Sequence, residues 1–461
     1  MASRQDQLHS HQFTVQRVVS ALVMRDTDPE RSPFRRTAGA TLAGVLVAVL
    51  ALAGVAVYGV LAPGGGTGWR DGSAVIVERE SGARYVYLGG ALHPVPNYAS
   101  ALLVIGSPQA HPVTVAHASL DGVPRGAPLG IPGAPDPLPD HDRLLGAPWA
   151  LCSARFSDGP PQSVLYVGRA PGSGVELPDG TGLLAATPDG TGYLIWRHHR
   201  YRVSRFALGA LAWGAEPLTP VAPAFVNSLA AAPDLAAPAL PGVAGGPSKV
   251  PGARVGQVVV ETVPGGAKQY AVAVTDGLAA VSELQAALLL AKSGTGQKEL
   301  SPADFAADLT AAPLIPTGPL APPATRPELA RPHLADRGLC VTVGGTRDTL
   351  TYDVSVSPDV PRAPSVSAGA VPAIQADRVV VEPGRGAIVS AQPSADAPGT
   401  ASIVSELGIR YPVPGADVLA MLGYDGINPV PMPSGLVALL PVGPALDPAA
   451  ARTPGYPQAG H

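Results

Sequence analysis

Two cysteines are the first residues of this 461-residue chain whose chemistry can be examined. Cys152 lies in "PWALCSA" and Cys340 in "GLCVTVG", and both stretches are apolar and strand-like. Outside the cytoplasm such a pair usually forms a disulfide, and two cysteines allow only one pairing. The alternative is a thiol nucleophile, but neither cysteine has an adjacent histidine or basic cluster to activate it. We therefore predict a Cys152–Cys340 disulfide.

Two charged clusters are further candidates for binding. The stretch "DPLPDHDR" offers possible cation ligands, namely Asp136, Asp140, His141 and Asp142. A solvated, proline-rich loop is the simpler interpretation, and we favour it. A second cluster suits phosphate or an acidic surface, and it consists of Arg197, His198, His199, Arg200 and Arg202. We interpret it as a charged hairpin turn.

Motifs for catalysis and nucleotide binding are missing from the sequence. It contains no GxxxxGK[ST], GxSxG, HExxH or CxxC pattern. The glycine-rich stretches at 62–68 and 292–298 lack the spacing that directs backbone amides and a lysine at phosphates. We predict no catalytic residue, no metal and no cofactor.

One segment determines the compartment. Residues 38–62 are almost purely apolar and carry no charge. Twenty-five helical residues at about 1.5 Å each span a hydrocarbon core of roughly 30 Å. Arg35 and Arg36 precede the segment, so the positive-inside rule places residues 1–37 in the cytoplasm and the rest outside. A cleaved signal peptide is the alternative, but the apolar region of a signal peptide is normally shorter than this one and rarely follows so long an N-terminal head. We predict a single-pass plasma-membrane protein.

The cytoplasmic head contains an apolar stripe. In "HQFTVQRVVSALVMR", helical spacing places Val15, Val18, Val19 and Leu22 on one face. A helix with no core of its own to bury that face suits a partner protein or the inner leaflet. We predict a partner-binding helix.

The body of the chain is rich in turns and repeats one pattern. Glycine and proline number 54 and 53, while 46% of the residues are hydrophobic, which predicts a folded chain with many loops. A strand, a turn, a second strand and an apolar helix occur in 82–106, and the pattern returns near 193, 270 and 402. These intervals are too wide for a stacked solenoid. We predict four small modules around a β-rich core that is built from two separated stretches.

The predicted class is therefore α+β, with a single N-terminal transmembrane helix. The boundaries are a head at 1–37, a transmembrane helix at 38–62, repeat domains at 69–115, 191–235, 236–300 (with a linker) and 391–448, central parts at 116–190 and 301–390, and a flexible tail at 449–461. The disulfide would join the two central parts. The net charge of −4 gives no reason to expect a nucleic-acid partner.

Several long stretches resemble the EccB family of the actinobacterial type VII (ESX) secretion system. They are "HQFTVQRVVSALVMRDTDPERSPFRR", "AVIVERESGARYVYLGGALHPVPNYASALL", "GIPGAPDPLP", "GGAKQYAVAVTDGLAAVS", "ADRVVVEPGRGAIV" and "GLVALLPVGPALDP". The resemblance implies an elongated extracytoplasmic body with a central domain and four repeat domains related by a pseudo-twofold.

The resemblance also implies a function. It implies a scaffold in a membrane complex, which associates with itself, with a motor ATPase and with other membrane subunits. Some family members carry an ATPase label, and the repeat units are similar to cell-wall-binding modules of phage lysins. ATP hydrolysis and peptidoglycan binding are therefore the alternatives to a structural role.

Overall fold

The computed structural model describes residues 4–24, 34–61, 67–156, 159–171, 175–178, 180–332, 338–346, 349–357, 366–367, 375–393 and 397–455. Helices and five β-sheets alternate along these ranges, so the predicted α+β class is confirmed. The chain begins with two helices, α1 (Arg4–Met24) and α2 (Phe34–Leu61). In the part of the chain that is described, no helix has both the length and the apolarity needed to cross a membrane. The side chains at both ends of the predicted span 38–62 lie outside that part.

The first sheet belongs to a unit that we call repeat 1 (residues 69–126). Its elements are β1 (Ala74–Glu78), β2 (Arg84–Leu88), β3 (Ala91–Val95), α3 (Tyr98–Ile105) and β4 (His111–Val115). The first three strands form an antiparallel meander, and β4 then pairs in parallel with β1. Gly89 and Gly90 make the β2–β3 turn with φ of 58° and 84°, the left-handed conformation that a tight hairpin turn requires.

The chain then enters the central sheet and leaves it for repeat 2 (residues 180–237). The first central strands are β5 (Trp149–Ala154), β6 (Gln162–Tyr166) and β7 (Val175–Glu176). Repeat 2 contains β8 (Leu183–Ala186), β9 (Gly192–Trp196), β10 (His199–Val203), α4 (Arg205–Ala210), β11 (Thr219–Pro220), α5 (Pro223–Ser228) and β12 (Ala230–Leu235).

Repeat 3 (residues 238–310) follows directly, and the chain then returns to the central sheet. Repeat 3 contains β13 (Val258–Thr262), β14 (Lys268–Val274), β15 (Gly277–Val281), α6 (Glu283–Ser293), β16 (Lys298–Glu299) and α7 (Pro302–Asp308). The returning central strands are β17 (Gly338–Thr346), β18 (Thr349–Ser357), β19 (Val366–Ser367) and β20 (Arg378–Val380). The seven central strands lie in the order β19-β20-β6-β5-β17-β18-β7.

Repeat 4 (residues 386–446) ends the body of the chain. It contains β21 (Ala387–Gln392), β22 (Thr400–Val404), β23 (Arg410–Pro412), α8 (Ala416–Met421), β24 (Val430–Pro433) and α9 (Ser434–Val437), and α10 (Pro448–Ala451) follows it. We number the first four strands of each repeat 1 to 4 in chain order. In all four repeats these strands lie side by side in the order 3-2-1-4, and strand 4 is parallel to strand 1.

Both edges of each repeat are protected against further strand pairing. A later part of the chain lies along strand 3. For example, the backbone N–H of Leu92 donates to the carbonyl oxygen of Pro124 in repeat 1, and that of Arg410 donates to the carbonyl oxygen of Pro441 in repeat 4. Strand 4 is two residues long in repeats 2 and 3, and prolines interrupt it in repeats 1 and 4. Since short, proline-containing edges resist strand addition, the repeats contact one another through side chains.

Shared apolar clusters define the order of the units. One cluster joins repeat 1 to repeat 4, a second joins the central sheet to repeats 2 and 4, and a third joins repeat 2 to repeat 3. The central sheet therefore shares one core with repeats 2 and 4, while repeat 1 is joined through repeat 4 and repeat 3 through repeat 2.

Four parts of the structure differ from the predicted boundaries. Strand β8 pairs within repeat 2, although it lies in the predicted central part 116–190, and β21 begins repeat 4 before residue 391. Residues 302–310 belong to repeat 3 and residues 311–314 pack on it, although the predicted central part begins at 301. The predicted tail from 449 begins as part of α10, because Ala451 is buried against α3. Alternation along a strand predicts the strand, but it does not identify the sheet with which the strand pairs.

Candidate functional site

The disulfide lies in the middle of the central sheet. Strands β5 and β17 are antiparallel neighbours, and Cys152 lies directly opposite Cys340 with the Cα atoms 4.0 Å apart. The sulfur atoms are bonded, and both side chains are buried beside Val164 and Tyr166 of β6. The disulfide prediction is confirmed. The thiol-nucleophile alternative is wrong, because neither cysteine is free.

The same apolar environment affects an ionisable neighbour. Burial raises the pKa of the Tyr166 hydroxyl to about 12, and the positive charge of Arg169 opposes this only weakly. The phenol therefore stays neutral at any physiological pH. This face of the central sheet is a packed structural core.

The predicted cation cluster is divided among structural contacts. Asp136 accepts hydrogen bonds from Arg84 Nη2 (2.9 Å) and from the backbone N–H of Tyr98 (3.0 Å). The His141 ring stacks on Tyr424 of repeat 4. Among the described residues, no group of three or more His, Cys, Asp or Glu side chains is arranged to hold a metal ion.

The histidine and arginine cluster forms a turn, and most of it has partners within the chain. Arg197 and His198 occupy the β9–β10 turn with φ of 46° and 62°, a left-handed conformation that is uncommon for residues other than glycine. The Arg197 guanidinium lies over the Trp196 ring, 4.5 Å from its centroid, and Arg200 donates to Asn227. The stretch 292–298 also has a structural role, since Gly294 ends α6 in the left-handed conformation.

The head helix presents its apolar stripe to solvent. Val15, Val18 and Leu22 are 48%, 53% and 79% exposed on α1, and Val19 is half-buried. Side chains of this size are rarely left so exposed along one helix face unless something covers them. The side chains of Arg35 and Arg36 lie outside the described residues.

The joint between repeats 1 and 4 is a packed interface that the sequence did not predict. Helix α3 of repeat 1 lies against α8 and α10, so Leu102 and Leu103 share a cluster with Val418 and Leu419. The intervening segment contributes Leu129 and Ile131. Residues more than 300 positions apart in sequence thus form one core.

A clasp from the end of the chain closes this joint. Arg452 follows α10, and its Nε donates to the carbonyl oxygen of Val104 in α3 at 3.0 Å. The guanidinium lies against Gly106, where a Cβ atom would be 2.4 Å from Arg452 Nη2. Gly106 also ends α3 at φ 70°. The backbone conformation therefore favours glycine at this position, and a larger residue would also displace the Arg452 guanidinium.

The joint between repeats 2 and 3 is built differently. Among the described residues of repeat 3, Leu284 and Leu288 of α6 are buried in the cluster that repeat 2 forms around Tyr201 and Trp213, and Ala287 packs against its edge. The connection is completed by a strap, residues 311–332, which lies on both repeats. Gln285 Nε2 donates to the Leu314 carbonyl (2.9 Å), and the Tyr201 hydroxyl donates to the Ala321 carbonyl (2.8 Å).

A charged corner stabilises repeat 1 at the end of β1. The buried carboxylate of Glu78 accepts hydrogen bonds from the Ser81 hydroxyl and from His117 Nδ1. The bond from Ser81, and then that from His117, lowers the pKa of Glu78. The bond to Glu78, and then the charge of Asp121, raises the pKa of His117. This ion pair fastens the chain after β4 to the β1–β2 turn.

Comparisons with known proteins agree along nearly the whole chain. Residues 1–455 match the family model described as type VII secretion system ESX-1, transport TM domain B (EccB). The chain is 30% identical over 476 residues to the ESX-3 secretion system ATPase EccB3 of Mycolicibacterium smegmatis, with 96% of this chain and 88% of that protein covered. It is 34% identical over 307 residues to the ESX-2 secretion system ATPase EccB2 of Mycobacterium tuberculosis, with 64% and 60% covered.

Solved structures agree with this result. A chain of an intact ESX-5 inner membrane complex matches with a TM-score of 0.63 at 25% identity, with 100% of this chain and 97% of that chain covered. A chain of an EccB3 dimer from the ESX-3 core complex matches with a TM-score of 0.61 at 26% identity, with 82% and 100% covered. The chain belongs to the EccB family of the type VII secretion system.

Proposed function

We propose that the protein is a membrane-anchored structural subunit of a type VII secretion complex, whose outer body serves as an assembly scaffold. The observation that carries this proposal is the match of the whole chain to a subunit of an intact ESX-5 inner membrane complex. The packed body supports this proposal, since the disulfide and the two joints connect the four repeats and the central sheet into one body. The dimer among the matched structures supports self-association.

The membrane arrangement is part of the proposal. Residues 38–62 form the span, and Arg35 and Arg36 keep the head in the cytoplasm. Protease added to intact spheroplasts should then digest the chain beyond the span and leave residues 1–37 protected. Protection of the outer body would contradict this orientation.

The head helix binds another membrane subunit, and the motor ATPase of the complex is the partner we propose. The exposed stripe of Val15, Val18, Val19 and Leu22 supports this assignment. Val18→Asp or Leu22→Asp should leave the protein stable in the membrane but separate it from the motor ATPase in pull-downs. Ser10→Asp introduces the same charge elsewhere on the exposed helix and serves as the control.

The proposed function as a whole is tested on a native gel. Membranes solubilised in mild detergent should yield the protein in one large assembly together with other secretion subunits. Recovery of the protein only as a free monomer or dimer would contradict the scaffold role. ATP hydrolysis by the purified protein, abolished by one point change in a definable pocket, would replace the scaffold with an enzyme.

A further inference from the structure

One end of repeat 1 lies close to the predicted membrane span. Five residues, 62–66, separate Leu61 at the end of α2 from Thr67, where a short 3₁₀ helix (Thr67–Asp71) begins. A fully extended connection of this length reaches about 22 Å. The start of repeat 1 is therefore held near the outer end of the span.

The β2–β3 turn lies at this same end of repeat 1. The Trp69 ring meets the Tyr87 ring edge-on, with the ring centroids 5.5 Å apart. A Cβ atom on Gly72 would be 3.2 Å from the carbonyl oxygen of Tyr87. Since Tyr87 is followed by Leu88 and the Gly89–Gly90 turn, the segment that comes from the span lies directly against this turn.

The tip of the turn is apolar, and a free cation lies beside it. Leu88 is 46% exposed, and the two glycines after it are exposed and carry no side chain that could cover it. The exposed Arg70 guanidinium lies over the Trp69 ring, 5.1 Å from its centroid, and makes no hydrogen bond or ion pair within the described part of the chain. An apolar side chain can enter a lipid interface, and a guanidinium binds phosphate with several hydrogen bonds.

The two ends of repeat 1 differ in charge. At the end that adjoins the span, the segments 67–73, 87–92 and 106–112 contain one arginine and one aspartate, Arg70 and Asp71. At the opposite end, the segments 77–85 and 115–121 contain five charged residues, namely Glu78, Arg79, Glu80, Arg84 and Asp121. Because charged groups are costly to remove from water, the weakly charged end is the one suited to a lipid interface.

We propose that the β2–β3 turn of repeat 1 rests on the outer leaflet of the membrane, with Leu88 in the lipid interface and Arg70 on a phospholipid phosphate. This inference rests on the membrane anchoring proposed above. The short connection selects the lipid surface as the occupant, because it keeps this end of repeat 1 near the bilayer. The contact orients repeat 1, and with it the joined repeat 4, relative to the membrane.

The test uses the full-length protein in lipid nanodiscs that contain anionic phospholipid. The two native cysteines are bonded to each other, so one introduced cysteine carries a fluorophore at a single position. Leu88→Cys places the fluorophore at the turn, and Arg79→Cys places it on an exposed site at the opposite end of repeat 1 as the matched control. Phospholipid with a spin label on its acyl chain should quench most of the fluorescence at residue 88 and little at residue 79. Equal quenching at both positions would overturn the proposal.

A label in the outer half of the predicted span separates this contact from the anchoring on which it rests. Val55→Cys lies on α2 and should be quenched in the same discs. Quenching at residue 55 but not at residue 88 would overturn the lipid contact alone, whereas no quenching at either would overturn the anchoring and the contact together.

The role of the arginine has its own control. Arg70→Gln should reduce the quenching at residue 88 in discs with anionic lipid and leave it unchanged in discs of zwitterionic lipid, because the charge attraction is then weaker. An equal result for Arg70→Gln and the unchanged protein in both kinds of disc would contradict the contact between Arg70 and phosphate.

Discussion

The two pairs of repeats are held together by different means. Repeats 1 and 4 meet through a mixed apolar core in which both contribute large side chains, closed by the Arg452 clasp. Repeats 2 and 3 are neighbours in sequence, and two leucines and the strap 311–332 join them. Units that are distant in the chain need side-chain burial to stay together, because no short connection limits their separation. Neighbouring units are kept close by their connection, so less burial is sufficient.

The disulfide supports both pairs, and its loss is the largest effect we expect. Cys152 and Cys340 are 188 residues apart, so on the chain-entropy model the crosslink stabilises the fold by up to about 5 kcal/mol. Cys152→Ser should lower the melting temperature of the whole outer body and impair complex assembly. The double variant with Cys340→Ser should be no worse than either single variant. Two reactive thiols in the native, unreduced protein would contradict this explanation of the core.

Matched leucine truncations distinguish the two joints. Leu419 of α8 and Leu288 of α6 are both buried, so replacing either with alanine should cost about 2–5 kcal/mol. Leu419→Ala should lower the main thermal transition, because it weakens a core shared with repeat 1. Leu288→Ala should instead produce an early, separate transition of repeat 3. Identical unfolding profiles for the two variants would show that the joints are equivalent.

The clasp gives a smaller effect. Arg452→Met removes the hydrogen bond to Val104 but keeps an unbranched apolar side chain in place of the aliphatic part of arginine. We expect a loss of about 1 kcal/mol, because the guanidinium is partly exposed. Hydrogen exchange of the α3 amides should speed up while that of α6 stays unchanged. Equal changes in both helices would mean that the clasp acts on the whole body.

The sequence predicted the hairpin and helix of each repeat because alternation and a polar or glycine turn mark them clearly. The same reasoning missed that β8 and β21 belong to repeats, because a short, buried strand such as "LLAA" carries no alternation. The strands β11 and β16 are two residues long and leave no pattern at all. The disulfide was predictable from two cysteines, whereas the Arg452 clasp depends on a contact 348 residues away.

The smallest effect is a pH dependence within repeat 1. His117 has a raised pKa, so its bond to Glu78 stabilises the corner fully below pH 6.5, and this contribution is lost as the pH rises through the raised value. Glu78 has a lowered pKa, so its contribution is lost only as the pH falls below about 4.5. In repeat 3 the strand register places Glu261 at the position of Glu78, but no histidine bonds to it within the described residues, and the turn is closed by backbone bonds between Val263 and Ala267.

An NMR titration checks this prediction. The His117 imidazole should titrate above its ordinary value in the unchanged protein and return to that value in Glu78→Gln. The turn of repeat 3 should show no such dependence. If the pKa of His117 is the same in both proteins, Glu78 does not raise it, and the ion pair does not stabilise this corner.

The central claim is that the joint between repeats 1 and 4 buries side chains from both repeats, whereas the joint between repeats 2 and 3 buries few from repeat 3 and depends more on its strap. Pulsed electron paramagnetic resonance measures it directly, with spin labels placed on exposed sites by cysteine substitution. One pair, Gln109 and Asp425, spans repeats 1 and 4, and the other, Ala215 and Lys268, spans repeats 2 and 3. We predict a narrow distance distribution for the first pair and a broader one for the second. Equal widths, or the reverse order, would contradict the account.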